Sequence, residues 1–241
     1  MKGTQKILIA SGVGVIVLGV IAAIAGPSIY RDFIAPPAAE APTLMGDPSL
    51  TDESELPALD GPLDPADISG SWVISEGSVA GYRVNEVLRG TDVTVTGRTS
   101  EVVGSLEVSD DGLTLETAEF TVDVASIATD QSQRDAYFRD NALRVSENPE
   151  AGFVLTSPVS VEALPESGEI VELEITGDLS IAGVTNEVTT VVQVRSDGST
   201  TELAGAIPIT FADYGVEAPS LGFVKVEDNG FVEFQLVATK G

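Results

Sequence analysis

From Gly70 onward, apolar and polar residues alternate with a period of two, and this alternation leaves few folds open. In VELEITGDLSI, residues 171–181, the odd positions other than Gly177 are apolar and all the even positions are polar. Successive side chains of a β-strand point to opposite faces, so the pattern predicts a strand with one dry face and one wet face. The same alternation recurs in residues 187–194 and 202–211.

Short turn-forming motifs separate the alternating runs, and several strands at this spacing predict an antiparallel sandwich or barrel. Closure into a barrel would also leave no exposed sheet edge, so the pattern predicts an all-β fold that is either such a barrel or a sandwich. The apolar phase changes between Leu115 and Ala118, which predicts a bulge or bend. The predicted turns lie at Asp110–Gly112, Ser167–Gly168, Asp197–Gly198 and Asp228–Gly230.

One segment of the predicted barrel does not alternate. Residues 130–143 contain neither glycine nor proline, and Asp130 is a residue type that commonly caps the start of a helix. Phe138 and Ala142 are four positions apart, so on a helix they would share one face. We therefore expect one short helix between two strands, placed as a plug or lid of the barrel.

The composition excludes several classes of enzyme. The chain has no histidine and no cysteine, which removes disulfides, thiolate nucleophiles, typical zinc sites and Ser-His-Asp triads. The formal net charge of −26 would repel nucleic acids. We expect a protein that is not an enzyme and that uses no cofactor and no metal. The acidity is interpreted as a solubility feature or an adaptation to salt, with specific cation binding as the alternative.

The N-terminal region predicts export and membrane attachment. Residues 7–26 carry no charge and are long enough to span a bilayer as a helix, and Lys2 and Lys6 precede them. By the positive-inside rule, residues 1–6 would be cytoplasmic, residues 7–29 would form a single-pass anchor in the cell membrane, and the rest would be extracytoplasmic. The alternative is a cleaved signal peptide, which would export the rest of the chain equally well.

Residues 30–69 are rich in proline, alanine and acidic residues and poor in large apolar ones. Such a composition buries too little surface to offset the entropy lost on folding. The sequence therefore predicts a disordered linker over residues 30–69, followed by the β-barrel domain over residues 70–241.

Two motifs carry a family resemblance. The stretches RDAYFRDNALRVSENPEAGF (residues 134–153) and GDLSIAGVTNEVT (residues 177–189) resemble the signature of the YceI family of exported bacterial proteins. Tyr137 stands where that family typically has histidine. The resemblance spans roughly residues 72–240 and implies a lipocalin-like barrel.

The resemblance further implies that the barrel encloses a long apolar chain, such as a polyisoprenoid or an isoprenoid quinone. A dry strand face can line such a cavity or fill a solid core, so a cell-surface interaction domain with a solid barrel is the alternative. The residues expected to contact an apolar ligand share the predicted inner face or the predicted helix. They are Tyr82, Val84, Phe138, Leu143, Phe153, Leu155, Ile175, Leu179, Ile181, Phe211 and Phe234.

The charged residues of the helical segment have three possible roles. Catalysis is disfavoured because arginine does not titrate usefully and the chain has no histidine. Arg134 or Arg139 could donate hydrogen bonds to a ligand head group, such as a phosphate or a quinone oxygen. Alternatively, Arg134 and Asp135 could form a structural clamp that holds the helix against neighbouring loops.

Overall fold

The computed structural model describes residues 38–44, 61–220 and 222–241. The predicted cytoplasmic residues 1–6 and the predicted anchor, residues 7–29, lie outside the described residues. In the part of the chain that the structure describes, no helix combines the length and the apolar character that crossing a membrane requires.

The described chain is mainly β-structure, as the alternation predicts. Its strands are β1 (Gly70–Ile74), β2 (Val79–Leu88), β3 (Thr91–Thr99), β4 (Val102–Val108), β5 (Thr114–Asp123), β6 (Glu150–Leu155), β7 (Val159–Ser160), β8 (Val171–Ile181), β9 (Val184–Ser196), β10 (Thr200–Thr210) and β11 (Val224–Lys240). The α-helices are α1 (Pro65–Ile68) and α2 (Ser132–Tyr137), and 3₁₀ turns cover Val124–Ser126 and Phe211–Tyr214.

Eight strands close into an antiparallel barrel in the order β1-β4-β5-β6-β8-β9-β10-β11, with β11 pairing back onto β1. The hairpin of β2 and β3 continues the wall, because β2 pairs with β11 over the part that β1 does not reach. The free side of β3 meets the loop after β5 through two reciprocal backbone hydrogen bonds of 3.0 Å between Arg98 and Ala128. The predicted all-β barrel is therefore confirmed.

Three of the four predicted turns are confirmed. Gly112, Gly168 and Gly198 all have positive φ and lie between consecutive strands. The prediction of a turn at Asp228–Gly230 is wrong, since β11 runs through it with a register shift between Val226 and Gly230. Gly230 pairs with both Ile209 of β10 and Val84 of β2, and the close approach of the Arg83 carbonyl, 2.7 Å from an ideal Cβ, leaves room only for glycine.

The predicted phase change in β5 is confirmed as a bulge. Leu115 faces Val108 and Thr117 faces Glu107, so Glu116 is the extra residue. The bulge moves the buried side of the strand from the odd positions to the even positions.

Two apolar cores fill the barrel. We call the first the Trp72 core; its buried members are Trp72, Ala80, Val102, Leu106, Ala118, Val192, Leu203, Leu236 and Ala238. Trp72 is only 1% exposed and donates its indole hydrogen to the carbonyl of Ile68, 2.8 Å away. The second, the Leu179 core, contains Val124, Ile127, Leu143, Phe153, Leu179, Ile181, Ala182, Ile207 and Tyr214.

The predicted helix is present but shorter and less regular than residues 130–143. α2 is followed directly by a π-helical turn over Phe138–Ala142. The expectation that Asp130 caps the helix is wrong, because Gln131 holds the N-cap position without a side-chain cap bond. The Asp130 carboxylate instead accepts a hydrogen bond from Arg134, one helical turn later, at 2.7 Å.

The prediction of a disordered linker fails for the two described stretches of residues 30–69. Leu44 is only 5% exposed, and both its backbone N–H and the Thr43 hydroxyl donate to the Gln193 side chain. At the other end of this stretch, Arg83 donates to the carbonyl of Ala39. Residues 38–44 therefore cross the outside of the barrel, since one buried leucine and several hydrogen bonds offset the ordering cost of a short segment.

Residues 61–69 are the second described stretch of the predicted linker. Leu63 is buried and its N–H donates to the carbonyl of Pro165 at 3.0 Å. α1 follows, with Asp64 at its N-cap accepting from the N–H of Ala66 at 2.9 Å and Pro65 in its first turn. This stretch ends by placing Ile68 against the Trp72 core, so the folded unit begins before Gly70.

Candidate functional site

A cavity of about 670 Å³ opens at the α2 end of the barrel. Its inner end reaches Ala80 of the Trp72 core, and its outer part runs between β2, α2 and the loop after β10. Most of the described residues that line it are apolar. Those on the barrel wall include Ala80, Val84, Leu88, Val122, Ala151, Leu179, Ile181, Ile209, Val224, Val226 and Val232.

β2 supplies one continuous side of the cavity. Its even-numbered residues from Ala80 to Leu88 all line the space, as expected for one face of a strand. The eight residue-to-residue steps from Ala80 to Leu88 span about 26 Å, at roughly 3.3 Å each. The barrel interior is therefore solid around Trp72 and hollow at the α2 end.

α2 and its π-helical turn form the lid of this cavity. Gln133, Arg134, Tyr137, Phe138 and Ala142 all contribute to the lining. A helix at the mouth of a barrel can restrict access to the interior, and π-helical turns are frequent at functional sites.

An aromatic pair joins the lid to the wall. Phe138 stacks on Tyr82 of β2, with ring centroids 4.8 Å apart and an interplanar angle of 20°. The Tyr82 ring also lies over Gly97 of β3, where a Cβ would come within 2.4 Å of it. Burial raises the pKa of the Tyr82 phenol, although the positive charge of Arg134 acts in the opposite direction.

Asp135 and Arg134 connect α2 to the loop before it and to β2. Asp135 is buried, and its Oδ1 accepts hydrogen bonds from the N–H and the hydroxyl of Thr129, at 2.9 and 2.7 Å. Arg134 reaches β2, where its Nη2 lies 3.2 Å from Glu86 Oε1. The same guanidinium also lines the cavity, so the clamp and the cavity mouth share a residue.

The structure places the predicted ligand-contacting residues in two groups. Seven line the cavity: Tyr82, Val84, Phe138, Leu143, Leu179, Ile181 and Phe211. Four belong to the cores and lie outside the lining that the structure describes: Phe153, Leu155, Ile175 and Phe234. Of the charged candidates, Arg134 lines the cavity, whereas Asp135 and Arg139 lie outside that lining.

Two of the core phenylalanines pack closely onto glycines of neighbouring strands. The Phe153 ring lies over Gly177 of β8, where a Cβ would come within 2.3 Å of it. The Phe234 ring lies in the same way over Gly205 of β10, at 2.6 Å. Each ring fills the space beside a neighbouring strand instead of projecting into the open part of the barrel.

Sequence reasoning missed the acidic residue inside the cavity. Glu86 is only 6% exposed and lies on the same face of β2 as Tyr82 and Val84. The strand phase places position 86 inward, so the signal was present in the sequence. A charged residue at an inward position is unusual, because burying a charge is costly unless it is paired.

A second cavity of about 480 Å³ lies between β9 and β10. The pairing of these strands ends at Val192 and Gly205, and beyond it stands Pro208, which has no N–H to donate to a neighbour. This cavity shares Ile209, Tyr214 and Phe231 with the first one. The barrel wall is therefore open beside the apolar cavity.

The described residues offer no group of three or more histidine, cysteine, aspartate or glutamate side chains placed to hold a metal ion. The polar groups of the first cavity are instead the ion pair of Glu86 with Arg134, the carboxylate of Glu217, the side chains of Gln131 and Gln133, and tyrosine hydroxyls. Such a set can orient a ligand by hydrogen bonds, while the apolar wall holds its body.

Comparison with solved structures identifies similar barrels. A polyisoprenoid-binding domain from Saccharophagus degradans has a TM-score of 0.55 at 18% sequence identity, with 72% of this chain and 99% of that chain covered. The Burkholderia cenocepacia protein BcnA has a TM-score of 0.51 at 24% identity, with 66% and 96% covered. At these identities the likeness shows the fold.

The family assignment comes from the sequence itself. No curated protein matches the chain. The model of the YceI-like domain matches residues 72–238, which covers the barrel from Trp72 in β1 to Ala238 in β11. Because this match includes most of the chain, the protein belongs to the YceI family.

Proposed function

We propose that this protein is a membrane-anchored, extracytoplasmic carrier that holds a polyisoprenoid or an isoprenoid quinone inside its barrel. The observation that carries the proposal is the cavity of about 670 Å³ with its largely apolar wall. Pockets that enclose small ligands typically measure about 300–1,000 Å³, so the space suits a ligand of that size. The similar domain from Saccharophagus degradans is described as polyisoprenoid-binding, which supports the same class of ligand.

The shape of the cavity favours a long ligand over a compact one. The lining along β2 extends from Ala80 to Leu88, and Phe138 of the lid stacks on Tyr82 of this wall at the mouth. Each buried CH₂ group contributes about 0.8 kcal/mol, so a five-carbon isoprene unit offers at most about 4 kcal/mol before ordering costs. A few enclosed units therefore suffice for binding without any charged contact.

Binding can be tested on the full chain in lipid nanodiscs. A fluorescent anthranilate ester of geranylgeraniol is titrated in, with empty nanodiscs of the same lipid as the background. We expect saturable binding above that background, and we expect unlabelled geranylgeraniol to displace the probe. A signal that equals the background at every probe concentration would rule out the carrier.

The location of the barrel is proposed from residues 7–29 and from the lysines that precede them. The chain contains no cysteine, so a single Ser199→Cys variant carries one thiol, in the exposed turn before β10. In spheroplasts of a bacterial host, a membrane-impermeant maleimide should label this thiol before lysis. Labelling only after lysis would place the barrel in the cytoplasm and contradict the proposed location.

A further inference from the structure

We propose that the cavity selects a ligand whose head group is uncharged, such as a prenol or a quinone, over the corresponding prenyl pyrophosphate. This inference rests on the proposed function and specifies its ligand. It comes from the charges at the cavity mouth. Among the described residues that line the cavity, the charged ones are Glu86, Arg134 and Glu217, so carboxylates outnumber the single cation.

Arg134 is already engaged by carboxylates of the chain. Its Nη1 lies 2.7 Å from Asp130 Oδ1, and its Nη2 lies 3.2 Å from Glu86 Oε1. These contacts come from two directions, one from the residue a helical turn earlier and one from the barrel wall. The positive charge that could attract a phosphate is therefore balanced within the protein.

A pyrophosphate would have to displace Glu86 or share Arg134 with it. Glu86 is 6% exposed and sits on β2, which is paired on both sides by β3 and β11, so its carboxylate cannot easily move into solvent. If Arg134 turned to the ligand, Glu86 would be left as a buried charge without its partner, and such charges are strongly unfavourable. If Arg134 stayed, the pyrophosphate would lie beside a carboxylate of like charge.

An uncharged head group neither removes Arg134 from Glu86 nor places a second negative charge beside that carboxylate. It needs hydrogen-bond partners and no counter-charge, and Gln133 and Tyr137 present an amide and a hydroxyl from the lid. An amide can donate or accept, and a phenol can do both, so a prenol oxygen or a quinone carbonyl could be accommodated. The formal net charge of −26 also disfavours the approach of an anionic ligand.

The experiment compares three competitors on the full chain in nanodiscs, with the fluorescent geranylgeranyl ester as the displaced probe. They are geranylgeraniol, a short-chain isoprenoid quinone and geranylgeranyl pyrophosphate. We expect the alcohol and the quinone to displace the probe at concentrations at least about tenfold lower than the pyrophosphate, since like-charge contacts cost more than one decade of affinity. The pyrophosphate partitions least into lipid and thus has the highest free concentration, so partitioning works against the expected result.

Three variants test the role of the ion pair. Glu86→Gln removes one partner of Arg134, and Asp130→Asn removes the other. Each should raise the affinity for the pyrophosphate relative to the alcohol by about tenfold. Glu217→Gln is the matched control, because it removes a lining carboxylate without freeing Arg134, and it should change the ratio less than either. Ratios between variants and wild type cancel the partitioning of each ligand into lipid.

The outcomes separate this inference from the proposed function. If wild type binds the pyrophosphate as tightly as the alcohol, the charge selection is overturned while the carrier function stands. If Glu217→Gln changes the ratio as much as Glu86→Gln does, the ion pair has no special role. If none of the three competitors displaces the probe, both proposals are wrong. Should Glu86→Gln fail to fold, wild type and Asp130→Asn still decide the question.

Discussion

Tyr82 and Phe138 stack with their ring centroids 4.8 Å apart, and this contact joins the barrel wall to the lid. The two residues are far apart in the sequence, and both rings line the cavity. The stack therefore helps to hold α2 over the cavity mouth, so that its loss should leave the mouth more open. Any change that weakens it should loosen the lid before it affects the barrel.

Phe138→Ala should increase the opening of the lid. Aromatic pairs contribute about 0.5–1.5 kcal/mol beyond the burial of their area, so local opening should become roughly two- to tenfold more frequent. Hydrogen–deuterium exchange of the backbone amides in residues 132–143 measures this directly. Arg139→Ala, in the same turn but outside the described cavity lining, serves as the control. Equal exchange in both variants would contradict a stabilising role for the stack.

Tyr82 should also make the fold sensitive to high pH. Burial raises the pKa of its phenol above the usual value of 10.0, so the folded state keeps this proton longer than the unfolded state does. The contribution of the neutral phenol to stability is fully present below pH 10. It is lost progressively as the pH rises above that value toward the folded pKa, because the unfolded chain releases its proton first.

The measurement is the thermal midpoint of unfolding between pH 8 and pH 11.5. Wild type should lose stability over the upper part of this range, and Tyr82→Phe should lose less of it. Burial also raises the pKa of Tyr214, so some pH dependence will remain in the variant. Parallel curves for the two proteins would show that Tyr82 does not carry the effect.

Glu233 is the least exposed charged residue in the part of the chain described by the structure, at 1%. It lies on the outer side of β11, and its carboxylate accepts hydrogen bonds from Arg83 Nε at 2.6 Å and from Arg98. Arg83 also donates a hydrogen bond to the carbonyl of Ala39, so residues 38–44 contact one of the two arginines that bind Glu233. The ion triad of the buried Glu233 and its two partly buried arginines therefore lies next to a segment whose composition had predicted disorder.

Glu233→Gln should lower the free energy of unfolding by about 2–3 kcal/mol, because two partly buried arginines lose their anionic partner. Glu187→Gln, an exposed position on β9, should change it by less than about 0.5 kcal/mol. Chemical denaturation of both variants provides the comparison. Indistinguishable midpoints would mean that the triad contributes little to stability.

The barrel could be predicted from the sequence because its strands obey one simple rule. β8 alternates over its whole length, and its apolar positions are the ones whose side chains pack inward. The bulge at Glu116 was visible for the same reason, since a change of phase in the pattern requires an extra residue. These are local properties of a strand, and local patterns report them well.

The parts that could not be predicted depend on contacts between distant segments. The sequence predicts a turn at Asp228–Gly230, but pairing of Asn229 and Gly230 with β10 and of Gly230 with β2 keeps the segment within β11. The composition of residues 38–44 predicts a disordered linker. In the structure they form hydrogen bonds with Gln193 and Arg83, and composition carries no information about such long-range contacts. The division of the inner face between core and cavity likewise depends on how side chains of different strands pack against one another.

Ile175 and Leu179 provide a matched pair that tests this division. Both lie on the inward face of β8, four residues apart. Leu179 is a member of the Leu179 core and also lines the cavity, whereas Ile175 packs against both cores and lies outside the described lining. Ile175→Trp should therefore overpack the interior and lower the free energy of unfolding by about 1–3 kcal/mol or more. Leu179→Trp can turn its larger ring into the open space, so its cost should be smaller.

For ligand binding we expect the opposite order: Leu179→Trp should lose more affinity than Ile175→Trp. The Leu179→Trp indole would occupy the cavity and weaken binding of the fluorescent geranylgeranyl ester sharply, whereas Ile175→Trp should keep measurable affinity at temperatures where it is folded. Thermal unfolding and probe titration on the same samples give both quantities. If Leu179→Trp proves the less stable of the two and still binds the probe like wild type, the side chain of Leu179 faces a packed core. The cavity would then not be the binding site.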